Sequence, residues 1–221
     1  MTAGPDDDAM TFTPLDLLDV SSLQGTIDWA AVRRGGYRGA YIRLTRGLEE
    51  VDALAADNLA GCLRNGLLPG FYHRAFHELG KPDVQALHFA MHLQRVAGPV
   101  RMLPPVLDYE DQAPGKEFCQ TFLAAVRGYT GRRTQVIYTS GSFVDQWVGG
   151  ESWMDPDIWL WIADSGKYTG ATPGKPKYLT TRVVLHQHSG PQPNVPGIPA
   201  DAPNPLCDVN RSTGDLSQIV R

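Results

Sequence analysis

The sequence is poor in cysteine: Cys62, Cys119 and Cys207 are its only three, far apart and without a CxxC spacing. An odd count forbids full pairing within one chain, and so sparse a set does not staple a small secreted domain. Free thiols are expected. Positive charge is also short. Lys and Arg number 20 against 24 Asp and Glu, a net charge of −4, which lacks the basic footprint of a nucleic-acid binder. The densest basic stretch, "GKPKYLTTR" at 174–182, reads as a solvated loop. No apolar run approaches the ~20 residues of a membrane-spanning helix. The opening "MTAGPDDDAM" is acidic and unlike a secretory signal. The expectation is a protein that stays cytoplasmic until released, or travels with a virion. There is no GxGxxG after the first strand-like segment and no GxSxG elbow, so neither a dinucleotide fold nor a serine hydrolase has its motif here.

What the sequence has is alternation. Strand-like runs at 14–20, 37–45, 67–75, 104–110 and 134–140 are each followed by a helical pattern. Asp28 can cap the first helix, Gly35-Gly36 ends it, and the helix at 82–98 starts at Pro and stops at Gly. After a short helical piece at 142–148 come three strand candidates, 157–165, 181–189 and 206–212, with little helix between them. Repeated βα units predict parallel strands with right-handed crossovers. Eight strands can close into a barrel, and a 221-residue chain sits near the lower end for such barrels. The fold expected is α/β, a modified TIM-like barrel of (β/α)5(β)3 form, with a doubly wound sheet as the competitor. Residues 1–13 are expected to be disordered or loosely packed, and 14–221 to form one catalytic barrel domain.

Barrel chemistry gathers at the C-terminal ends of the strands. The expected strand ends carry Asp19, Tyr41 to Arg43, Tyr72, Asp108 to Glu110, Tyr138, Trp161, Gln187 and Asp208. Acids, amides and aromatic faces at one rim suit a neutral polyhydroxylated ligand. In the run "LPPVLDYEDQ", strand alternation turns Asp108 and Glu110 to one face and Tyr109 to the other. Like charges so close push one carboxyl pKa up, as a glycosidase acid requires. The plainer alternative is a solvated loop, and Asp111 reads as a cap or loop residue for the next helix. Asp19 and Asp208 would be neighbours where the barrel closes. Arg43 reads as an ion-pair partner for a cleft acid. His186 and His188 share a strand face, but HxH without a third placed ligand does not make a zinc site, so no metal and no cofactor is expected.

The ordered blocks "DVSSLQGTIDW", "YIRLTRG", "GLLPGFYHRA", "LPPVLDYED", "QVIYTS", "LWIADS" and "DVN" together resemble glycoside hydrolase family 25, the Chalaropsis-type lysozymes of bacteria and phages. The likeness runs from about residue 15 to 214. It implies a barrel of five βα units followed by three strands, and hydrolysis of the β-1,4 bond between N-acetylmuramic acid and N-acetylglucosamine. Motif by motif, Glu110 takes the place of the proton donor, and Asp108, Asp19 and Asp208 those of the other cleft carboxylates. Tyr72, Tyr138, Trp161 and Gln187 fall where the family lines its sugar groove, and Tyr41 and Arg43 join them as expected substrate contacts. Two blocks depart: Thr45-Arg46-Gly47 stands where the family often has an acid, and His186 where a Trp usually precedes the Gln. The implied partner is the peptidoglycan strand, met by a monomer, with holin or virion proteins added if a phage encodes the chain. A non-catalytic glycan binder, a virion structural protein and a chitinase are the competing expectations.

Overall fold

A computed structural model describes residues 14–164, 178–213 and 216. Residues 1–13, and with them the expected loose N-terminal segment, lie outside the described residues, as do 174–177 of the basic stretch. The first strand, β1 (Asp16–Val20), leads into α1 (Trp29–Arg34), with Asp28 accepting from the Ala31 N–H as its cap. Then come β2 (Gly39–Arg46), the two-residue β3 (Glu50–Val51) folded back on it, and α2 (Ala55–Arg64). The units β4 (Leu68–Arg74) with α3 (Pro82–Ala97), β5 (Val106–Asp108) with α4 (Lys116–Thr130), and β6 (Gln135–Ser140) with α5 (Gly141–Gln146) follow. Last are β7 (Ile158–Ala163), β8 (Val183–Gln192) and β9 (Cys207–Ser212). The strand order β1-β9-β8-β7-β6-β5-β4-β2 closes through a β1–β2 pairing. The result is an eight-stranded α/β barrel of the expected (β/α)5(β)3 form.

Seven barrel strands are parallel and β9 is not: it pairs antiparallel with both β8 and β1. A parallel return needs a crossover of a dozen or more residues, usually helical. The chain between β8 and β9 has turns but no helix, so it comes straight back. The barrel's two ends meet: the Leu15 N–H donates to Ser212 Oγ at 2.8 Å and the Ser212 N–H to the Leu15 carbonyl at 2.9 Å.

Strand alternation splits the core in two. Leu18, Ile42, Phe71, Leu107, Ile137 and Leu160 point outward under the helices. Leu17, Tyr41, Val106, Val136, Trp161 and Leu185 fill the barrel interior. Gly70 makes room for Tyr41, since a Cβ there would lie 2.4 Å from its ring. All three cysteines are free and buried. Among the described residues no helix is long and apolar enough to cross a membrane.

Candidate active site

The same alternation that fills the barrel supplies its open end. Beyond the apolar interior layer the inward positions become polar: Asp19, Arg43, Tyr72, Arg74, Asp108, Glu110, Tyr138 and Asp208 line one groove of about 260 Å³, with Trp161 of the interior layer at its base. The far wall is the turn after β1, where Ser21 and Gln24 form a reciprocal capping box. Asn204, from the loop before β9, donates its N–H to the Leu23 carbonyl at 2.7 Å and ties the two walls together.

A hydrogen-bonded chain crosses the floor. Tyr138 Oη donates to Gln187 Oε1 at 2.9 Å, and Gln187 Nε2 to Asp19 Oδ2 at 3.2 Å. Asn210 Nδ2 donates to the same Asp19 oxygen at 2.8 Å, while Trp161 Nε1 donates to Asn210 Oδ1 at 2.8 Å. Each amide is thereby fixed in orientation. Tyr41 stacks beneath Trp161, ring centroids 4.9 Å apart, with its hydroxyl on the Pro104 carbonyl.

The acid pair of β5 meets a cation. Arg74 Nη1 lies 3.3 Å from Asp108 Oδ1 and 3.6 Å from Glu110 Oε1. The two acids differ in access, the Asp108 side chain being 9% exposed and that of Glu110 45%. Burial, then the charge of Glu110, pushes the Asp108 carboxyl well above the usual range, with Arg74 opposing. Burial raises Asp19 to about 6, against the hydrogen bonds from Asn210 and Gln187. Burial and then the charges of Asp19 and Glu110 raise Asp208 to about 7. Protons are therefore held within this cluster at pH values where ordinary carboxylates have lost them.

Of the expected site residues, Asp19, Asp108, Glu110, Asp208, Arg43, Tyr72, Tyr138 and Trp161 come together at the groove. Gln187 sits just under it in the hydrogen-bonded floor. Tyr41 is fully buried one layer lower, as a support for Trp161. Strand β5 stops at Asp108, yet the alternation runs on, because the Tyr109 N–H still reaches the Tyr138 carbonyl at 3.0 Å. Arg43 does not pair with a cleft acid; its Nη2 is 3.0 Å from buried Asp52. Asp111 does not cap the next helix, whose cap is Gly115. It accepts from the His77 N–H and braces the neighbouring loop. His186 pairs with Ile162, on the outward face away from the acids.

Arg74 was within reach of the sequence, two residues past inward-facing Tyr72. Arg46 was not. A bulge between Arg43 and Thr45 breaks the β2–β4 register, so Leu44 joins the outer core, Thr45 turns outward to His73, and Arg46 lines the groove.

Fold and rim together define a class: the modified β/α barrels whose polar end carries clustered carboxylates between aromatic walls. The family model of glycosyl hydrolases family 25 matches residues 18–198, and the chain belongs to that family. It is 30% identical over 180 residues to Lysozyme M1 of Streptomyces globisporus, a match covering 74% of this chain and 60% of that protein. The chain thus spans under two thirds of that relative's length. The bacterial lysozyme structure from Streptomyces coelicolor superposes with a TM-score of 0.74 at 26% identity, covering 94% of this chain and 95% of that one. The catalytic domain of endolysin ply40, from a Listeria monocytogenes phage, gives 0.71 at 21% identity over 95% and 98%; at that identity it bears on the fold alone. The family match takes in Asp19, Asp108 and Glu110 and ends before β9, so Asp208 and Asn210 enter the site on geometry.

Proposed function

We propose that the chain is a peptidoglycan muramidase. It hydrolyses the β-1,4 bond between N-acetylmuramic acid and N-acetylglucosamine, with Glu110 as the proton donor, and acts at the bacterial cell wall. The observation that carries this reading is the pair Asp108 and Glu110 bridged by Arg74. Asp108 is the buried member of the pair, and burial followed by the charge of Glu110 pushes its carboxyl above the usual range. Glu110 is the exposed member and the one that can reach a glycosidic oxygen. As its proton passes to the leaving sugar, the C–O bond breaks and the pair gains negative charge, which Arg74 offsets at close range. A second carboxylate, Asp108 first and Asp19 second, stabilises the oxocarbenium-like centre or orients the muramyl N-acetyl group. Water completes the hydrolysis. Tyr72, Tyr138 and Trp161 offer faces and hydroxyls to the sugar rings.

The test is release of reducing ends from purified peptidoglycan and from chitin oligomers, with mass spectrometry of the new ends. Muramic acid at the reducing end is expected. Release from chitin alone sinks the muramidase reading. Binding to glycan without any release supports a non-catalytic module instead.

A further inference from the structure

Three arginines line the groove, and two are engaged by buried acids. Arg43 is held by Asp52, and Arg74 by Asp108 together with Glu110. Arg46 differs. Its ion-pair partner is Glu50 at 3.4 Å, with side chains 43% and 49% exposed, and an exposed pair of that kind is weak and readily exchanged.

The position of Arg46 is costly to the fold. The β2 bulge aims it inward and sets it in register with Arg74 on the adjacent strand. Like charges directly opposite on neighbouring strands destabilise a sheet. The ring of Phe76 moderates this, with the Arg46 guanidinium 4.8 Å from its centroid and that of Arg74 5.7 Å from the same ring. Phe76 is fixed in turn. Gln85 Oε1 accepts from its N–H at 3.2 Å and Gln85 Nε2 donates to its carbonyl at 2.9 Å. A repulsive pair, a bulge and a fixed aromatic ring thus hold a weakly engaged guanidinium over a groove that otherwise carries four carboxylates.

We infer that Arg46 is a specificity-determining anion receptor, which binds a free carboxylate on the muramoyl substituent of the glycan strand. The inference rests on the muramidase reading and deepens it. The acid cluster repels an anionic strand; Arg46 supplies the compensating attraction to one side of the reacting bond and so favours carboxylate-bearing sugars over neutral ones. The carboxylate has two sources with shared chemistry: the lactyl group of a stripped strand, or the stem peptide.

The experiment uses one peptidoglycan preparation as four substrates: stem-bearing and amidase-stripped strands, each with carboxylates free or blocked as neutral methylamides. Wild-type protein is expected to favour free over blocked carboxylates by about tenfold in kcat/KM, mainly through KM, which matches one partly exposed charge-assisted contact. The strand type that shows the preference identifies the source. In Arg46→Gln the free-to-blocked ratio falls toward one, and Arg46→Lys restores part of it. An Arg46→Gln protein with the wild-type ratio overturns the inference, as does a wild type that cleaves every strand without discrimination. A wild type that releases ends from none of the four overturns the muramidase reading, and the inference with it.

Discussion

Asp19 and Asp208 stand opposite each other in the antiparallel ladder between β1 and β9. Burial is the first cause of the rise in both, to about 6 and about 7, and the charge of Asp19 adds to the rise of Asp208. An acid whose pKa is higher in the fold than in the unfolded chain binds its proton more tightly when folded. The pair therefore takes stability away as pH rises from about 4 to about 7. Asp208→Asn should match wild type in Tm near pH 4 and exceed it by about 3 °C at pH 8. A Tm difference that does not change with pH counts against the assignment.

Glu110→Gln should lower turnover of purified peptidoglycan by about 10²–10⁴-fold, the usual contribution of a positioned acid. Its side chain is nearly half exposed, so the circular dichroism spectrum and Tm should stay close to wild type. A folded variant with wild-type turnover removes Glu110 from the proposed role.

Arg74→Met leaves the Asp108 carboxyl buried without its cation. A loss on the order of 3 kcal/mol is expected at pH 8, where the stranded charge is most costly. The loss should shrink at pH 5, because Asp108 is raised well above the usual carboxylate range and carries its proton there. Urea unfolding at the two pH values measures the difference.

His73 lies outside the barrel wall, behind the groove. Its Nδ1 is 2.8 Å from Thr45 Oγ1 and its Nε2 3.2 Å from Gln85 Oε1, and it stacks on Phe122 at 5.1 Å. Burial pushes it down to about 3. It stays neutral in the fold while the unfolded chain takes up a proton below about 6.5, so its share of stability is lost as pH falls from there toward 3. His73→Phe strands the Thr45 hydroxyl and should cost about 1–3 kcal/mol at pH 7. It should also flatten the acid limb of the stability curve, which thermal melts across pH 3–8 would show.

Much of the fold and rim is legible in alternation alone. Period-two patterning by itself turns Asp19, Tyr72, Asp108, Glu110, Tyr138, Trp161, Gln187 and Asp208 inward. The depth of each is not legible, because depth depends on the register between strands. Tyr41 faces inward as alternation requires, yet lies a layer below the groove. Arg46 depends on a bulge that local sequence does not announce. Asn204 comes from a Pro-rich loop whose path is set by the turn it binds, near the start of the chain. The reversal of β9 follows from the lack of a helix in the preceding connection, and the Pro-rich composition of that run already disfavours one.

That reversal sets the pole at which the chain enters and leaves the barrel. Since β9 runs against its neighbours, Asp208 stands near its beginning and Ser212 at its end, on the pole where Leu15 begins the barrel. The Leu15 and Ser212 hydrogen bonds clasp the first and last strands there, at the pole opposite the groove. The barrel is thus entered at β1 and left at β9 on one pole, while the acids of those two strands, Asp19 and Asp208, stand together at the other.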